Sequence, residues 1–191
     1  TPVIGMVGLL ENINQSTTLE FKDAGDFIVT LGALNGSLGG SEYLRTIHGK
    51  IQGPIPHLNL ELEMGIQELC LDAIKKGIIK SAHDLSDGGL AVNLSESLIQ
   101  SKAGLGAKLD VVRKLHNSEL LFGECQSVII VTLEESALYE LILLAQNLNV
   151  HTQTIGRVNE SNSLVINDQI YISRTKLENA YSNSLEKIMT Q

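Results

Sequence analysis

The chain has 191 residues, 43% of them hydrophobic and 19% charged, enough for one well-buried core or two very small ones. A net charge of −8, with 14 scattered Lys and Arg, excludes a general nucleic-acid binder, because nothing in the chain neutralises a polyanion. No run approaches the ~18 apolar residues that span a bilayer, so no membrane segment is expected. The two cysteines, Cys70 and Cys125, lie far apart in apolar contexts without metal-type spacing, which fits a reducing cytoplasm. The chain opens at Thr1 directly on an apolar run, and is expected to be cut from a longer polypeptide.

Residues 3–10 form a short apolar run with strand character, and residues 26–32 a second, announced by the turn Ala24-Gly25. Gly39-Gly40-Ser41 leads into a helical pattern from Glu42, and Pro54 and Pro56 mark an extended loop. Asn59 is placed to cap a helix in which Leu60, Met64, Leu69, Ala73 and Ile74 recur at helical spacing, with Gly77 as its stop. Residues 78–82 read as a buried strand. Leu90, Leu94, Leu98 and Ile99 share one face of the following helix, which ends near Gly104.

Residues 128–133 are the clearest strand, β-branched and continuous, as expected when both faces are covered. Glu134-Glu135-Ser136 opens another helix with Leu138, Leu141, Ile142 and Ala145 as its apolar stripe. Residues 155–158, 164–166 and 170–172 are short strands, the last two joined at Asn167-Asp168, and residues 175–189 form a final amphipathic helix. Strands and helices alternate without repeats or low-complexity linkers, which predicts one α/β domain over residues 1–191.

Three segments carry chemical potential. In Ser81-Ala82-His83-Asp84-Leu85-Ser86-Asp87-Gly88-Gly89-Leu90 a buried strand ends in ionisable side chains, then two glycines, then a helix. Ligands favour such strand ends. Gly88 and Gly89 would let backbone N–H groups approach an anion, and Asp84 and Asp87 are placed to hold a metal or cap the helix. The plainer reading makes Asp87 an N-cap and His83 a satisfied turn residue. Gly39, Gly40 and Ser41 belong to a second glycine-rich turn. It resembles a phosphate cradle but lacks a P-loop lysine, and a tight turn explains it equally. Glu124, Gln126 and Ser127 precede the strongest strand, where polar groups need backbone, water or ligand partners. Between them Cys125 has no local base to activate it and reads as a small buried thiol. His48, His57, His116 and His151 stand alone in loops and are given no role.

Taken together, the stretches 1–9, 38–43, 82–92, 121–127 and 155–158 resemble the second half of the phosphoribosylformylglycinamidine synthase family, in order and spacing, across nearly the whole chain. The segment His83-Asp84-Leu85-Ser86-Asp87-Gly88-Gly89-Leu90-Ala91-Val92 is the most specific part of the match. The resemblance implies a PurM/AIR-synthetase C-terminal-type α/β domain, a mixed sheet flanked by helices. Residues 1–20 would be the junction strand from a preceding ATP-associated domain.

The resemblance further implies a ligase that uses ATP and Mg²⁺ to phosphorylate the formamide oxygen of formylglycinamide ribonucleotide. Ammonia from glutamine, supplied by a glutaminase subunit or domain, then displaces phosphate to give the amidine in purine biosynthesis. Such chemistry requires charge neutralisation on the transferring phosphoryl group and exclusion of water. The family's catalytic histidine and principal nucleotide and metal ligands lie in other domains, so no catalytic residue is assigned to this chain, and alone it is expected to be inactive. The loop at Glu124-Cys125-Gln126-Ser127 corresponds to one that contacts substrate in the first half of the family enzyme. In the second half the equivalent cleft is a pseudo-active site that holds a structural nucleotide in some relatives. The family commonly has Ser in place of Cys125 and Arg in place of Val128, so this loop lacks an expected phosphate partner. Two other readings stay open: a domain of another PurM-superfamily enzyme (of the aminoimidazole ribonucleotide synthetase, selenophosphate synthetase or thiamine-phosphate kinase type), or a non-catalytic packing module.

Overall fold

Seven strands form one mixed sheet in the order β2-β4-β1-β5-β3-β6-β7 in a computed structural model that describes residues 3–112, 115–184 and 189. The strands are β1 (Phe27–Leu31), β2 (Ser81–Asp84), β3 (Gly106–Leu109), β4 (Ile129–Leu133), β5 (Thr152–Asn159), β6 (Ser163–Ile166) and β7 (Ile170–Ser173). The helices are α1 (Glu42–His48), α2 (Leu60–Lys75), α3 (Gly89–Gln100), α4 (Asn117–Phe122), α5 (Leu138–Asn147) and α6 (Arg174–Ser182). Neighbouring strands run antiparallel except β3 and β6, which pair parallel. The expected mixed sheet flanked by helices is what the chain forms.

The alternation of side chains along β1 and β4 divides the core between the two faces of the sheet. Ile28 and Ile130 point to one side, where Leu90, Leu94 and Leu98 of α3 and Leu120 and Leu121 of α4 meet them. Val29, Leu31, Val131 and Leu133 point to the other, against Ile66, Leu69 and Ala73 of α2 and Leu141 and Ala145 of α5. Each fully buried Val, Leu or Ile among them contributes about 1.5–3 kcal/mol relative to exposure. A bulge at Ile155 shifts the β1–β5 register, where Ile28 faces Gly156 but Val29 faces Thr154.

Local chemistry sets the boundaries. The Asn59 side chain accepts the Leu62 N–H at 3.1 Å and starts α2, and Gly77 (φ 68°) follows its end. Asn167 and Asp168 both adopt positive φ, 50° and 53°, and turn β6 into β7. The Asn167 side chain also bonds both backbone groups of Val111, accepting from its N–H at 2.6 Å and donating to its carbonyl at 3.0 Å. Arg174, buried at the start of α6, donates to Ile99 O at 2.9 Å, Ser101 O at 2.6 Å and Lys102 O, so its guanidinium covers the carbonyl end of α3.

Several sequence expectations shift. Residues 3–10 form no strand; Val3, Ile4, Met6, Val7 and Leu9 are each more than 80% exposed, since apolar side chains alone do not supply the neighbour a strand must pair with. The strand expected at 78–82 starts later, at Ser81, with Ile78 and Ile79 buried in the approach to it. β3 and α4 were not foreseen. The final helix is described over Arg174–Ser182, and residues 185–188 of the expected helix lie outside the described residues.

Candidate functional site

The β2 ladder carries the chain to the site. Asp84, the last residue of β2, pairs with Ile129 at the start of β4, and Leu85 N–H continues the pairing to Val128 O at 2.9 Å. Residues 17–18 cover the free edge of β2: Ala82 N–H donates to Thr18 O at 3.1 Å. Beyond Leu85 the chain turns at Ser86-Asp87, which are exposed, and enters α3 through Gly88 and Gly89 at φ 81° and 66°. The N-cap of α3 is Gly88, and no side chain caps the helix, so the capping role foreseen for Asp87 is not filled.

Asp84, Gln126 and Ser127 come together on one cleft of about 500 Å³, at the carboxyl end of β2 and the amino end of β4. Its other wall is the first half of α2, with Glu63, Ile66 and Gln67. The Asp84 side chain is 75% exposed. Ser127 adopts φ 57°, an unusual conformation for a non-glycine residue, and its hydroxyl donates to Glu63 Oε2 at 2.5 Å. Gln126 also borders a recess of about 330 Å³ with Asn35, Ser37, His57 and Cys125. Glu63 and Gln67 went unnoticed in the sequence, because nothing local ties a helical Glu to a serine 64 positions away.

His83 faces away from that cleft. Its ring lies 3.1 Å from Glu96 Oε2 through Nε2 and 3.5 Å from Asp84 Oδ1 through Nδ1, with only 12% of the side chain exposed. Together with Asp84 it borders a second pocket, of about 400 Å³, shared with Thr17, Thr18, Glu20 and Gln100. Asn93 of α3 supports the strand end from within by donating to Asp84 O at 2.7 Å.

Gly39, Gly40 and Ser41 form a tight turn whose amides are already used. Gly39 N–H donates to Ser37 Oγ at 3.3 Å, Gly40 N–H to Gln52 O at 2.9 Å, and Ser41 N–H to Leu38 O at 3.2 Å. The Ser41 hydroxyl caps α1 by accepting the Leu44 N–H. Gly39 also packs so close to Pro54 O that a Cβ there would sit 1.9 Å away. No donors remain in that turn for a phosphate.

Glu124 meets both glycine-rich turns. Its Oε1 accepts Gly88 N–H and Glu42 N–H, each at 2.9 Å, so the amide foreseen for an outside anion already faces an internal carboxylate. Gly89 N–H donates to Ser86 O at 3.1 Å. Burial pushes the Cys125 thiol above its usual range, although the backbone N–H groups of Asn35 and Gly36 pull the other way, which suits a packing role rather than a nucleophile. Among the described residues no group of three or more His, Cys, Asp or Glu gathers to hold a metal, and no helix is long and apolar enough to cross a membrane.

A mixed sheet between two helical layers, with acidic and amide side chains at a strand end over an open cleft, defines an α/β domain with a candidate site at the carboxyl end of β2. Residues 23–169 match the family described as AIR synthase related protein, C-terminal domain, and the chain belongs to that family. It is 40% identical over 193 residues to the phosphoribosylformylglycinamidine synthase subunit PurL of Alkaliphilus metalliredigens, covering 99% of this chain and 26% of that protein. The PurL subunit of Caldanaerobacter subterraneus is 40% identical over 166 residues, 87% of this chain and 22% of that protein. The chain thus spans about a quarter of the length of these curated relatives. Among solved structures, Thermotoga maritima PurL complexed with FGAR superposes with a TM-score of 0.73 at 18% identity, over 87% of this chain and 30% of that one. The PurLQS structure from the same organism gives 0.67 at 16% identity, over 87% and 28%. At these identities the structural likeness establishes the fold.

Proposed function

We propose that this chain serves as the C-terminal α/β domain of a PurL-type phosphoribosylformylglycinamidine synthase, the ATP-dependent ligase that makes formylglycinamidine ribonucleotide from formylglycinamide ribonucleotide, ATP and glutamine. The observation that carries this reading is the 40% identity to a PurL subunit over 99% of this chain. Solved T. maritima PurL complexes with ATP and with FGAR, and the PurLQS assembly, support nucleotide, ribonucleotide and further subunits as its ligands and partners. Magnesium, a glutaminase subunit, a cytoplasmic setting and a junction through residues 1–20 to a preceding domain belong to the same proposal.

The cleft residues do not by themselves fit a polyphosphate. Asp84 and Glu63 face it, and among the described residues no Lys or Arg lines it. In the proposed enzyme, cationic neutralisation of the phosphates comes from groups other than the described residues of this cleft. Asp84, Gln126 and Ser127 bind polar, hydrogen-bonding parts of a ligand or of a neighbouring domain. His83, Asp87, Gly88 and Gly89 shape the strand end that presents them.

The test is an assay of the full-length polypeptide that carries this chain, following ADP release and amidine formation with formylglycinamide ribonucleotide and ammonia. Turnover dependent on the ribonucleotide is expected, and the 191-residue chain alone gives none. ATP turnover indifferent to the ribonucleotide overturns the assignment.

A further inference from the structure

We propose that Glu124 is a positioning residue that clasps the two glycine-rich turns with one carboxylate oxygen and thereby holds the loop bearing Gln126 and Ser127 against the strand end at Asp84. The inference rests on the functional reading above and deepens it.

The segment 123–127 runs between the two turns and touches both. On one side Glu124 N–H donates to Ser37 O at 2.8 Å, and a Cβ on Gly123 would lie 2.8 Å from Ser37 N. On the other side Gly89 lies against Gly123 O and Phe122, so that a Cβ on Gly89 would sit 2.7 Å from that oxygen. Gly123 is equally confined, since its Cβ would lie 2.6 Å from Gly36 Cα. Glycines remove the side chains that would hold these three backbones apart.

Glu124 Oε1 completes the junction by accepting Glu42 N–H and Gly88 N–H, both at 2.9 Å, across sequence separations of 82 and 36 residues. A carboxylate accepting two backbone amides makes charge-assisted bonds, stronger than neutral ones. The amides belong to the first residue of α1 and the N-cap of α3. Two and three residues further along, Gln126 and Ser127 enter the cleft wall, and four residues before Gly88 stands Asp84, beside them in the same wall. The clasp therefore adds to the β2–β4 pairing in holding Asp84 relative to Gln126 and Ser127.

The experiment compares E124A, E124D and E124Q by amide hydrogen exchange on the 191-residue chain, with Val131 in β4 as the core reference. In E124A the Gly88 and Glu42 amides are expected to lose protection together, at least tenfold, while Val131 is unchanged. E124Q, which keeps the acceptor oxygen, returns both to within about threefold of wild type. Should E124A lose Val131 protection as well, E124D, one methylene shorter, decides with the same expectation. Protection retained at either amide in the deciding variant, or no rescue by E124Q, overturns the proposal. In the full-length polypeptide, E124A is expected to raise the KM for the ribonucleotide about tenfold with kcat within threefold, and an unchanged KM also overturns it. A full-length wild type without ribonucleotide-dependent turnover sinks the ligase assignment instead, while the linked exchange of the two amides stands.

Discussion

Lys80 Nζ lies 2.9 Å from Asp26 Oδ1, while the second oxygen of Asp26, buried in the same place, makes no hydrogen bond. Asp23 at 3.0 Å and Glu134 at 3.1 Å complete a ring of carboxylates around the one ammonium. Burial opposes the charge on Lys80, but the hydrogen bonds to Asp26, Asp23 and Glu134 outweigh it and hold its pKa above the usual lysine range. Burial likewise pushes Asp26 up, against the pull of Lys80.

Replacing Lys80 by Met leaves Asp26 charged, buried and unpaired, and is expected to cost about 3–5 kcal/mol at pH 7. Acidification should then narrow the gap. A carboxyl with a raised folded pKa takes up its proton in the folded state first, so the variant gains stability as pH falls through that pKa toward the ordinary aspartate range. Wild type keeps the contribution of Asp23, whose hydrogen bond from Lys80 depresses its pKa, until the pH falls below the ordinary aspartate range. Urea melts of both proteins from pH 7 to pH 4 check this. A gap that widens on acidification refutes it.

Gly89→Ala combines a left-handed φ of 66° with a collision against Gly123 O and the Phe122 backbone. A loss of more than about 2 kcal/mol is expected by denaturant titration, because backbone cannot move aside as a side chain can. Gly104→Ala, at φ 91° but with open space around it, should cost less.

Asp84→Asn should leave stability within about 0.5 kcal/mol, as expected for a carboxylate that is 75% exposed. Its effect belongs to binding. In the full-length polypeptide the substitution is expected to weaken ribonucleotide-dependent turnover at least fivefold, read by the same ADP-release assay.

Cys125 and Cys70 are both buried, and burial raises the pKa of each. In the native chain neither should react with iodoacetamide at pH 7.5 on the timescale of a free thiol, whereas both react once urea unfolds it. Cys125→Ser should leave turnover of the full-length polypeptide within a few-fold. Rapid native labelling at Cys125, followed by mass spectrometry, would contradict the packing role.

The sequence announced elements wherever local chemistry suffices. Asn59 and Gly77 bound α2, Asn167-Asp168 bends the last hairpin, and the β-branched run of β4 needs cover on both faces. β3 escaped notice because four residues with Gly106 at the start and exposed Lys108 within show too little alternation, and its strand character comes from pairing with β5 and β6. α4 had one local signal, the Glu119 carboxylate accepting the His116 N–H at 3.1 Å three residues back. At the site, Asp84, Gln126 and Ser127 could be named but not Glu63. The internal use of Glu124 was hidden too, since both its amide partners lie dozens of positions away.

The guanidinium of Arg174 gives the last helix a mechanical consequence. α3 is a strut of twelve residues, about 18 Å at 1.5 Å per residue, whose far end is locked under Arg174 and whose near end begins in the clasp at Gly88. A rigid rod held at both tips has no slack. Arg174 of α6 and Glu124 of the cleft loop thus sit at opposite ends of one unbroken helical ladder, so the spacing between them is set by the length of α3.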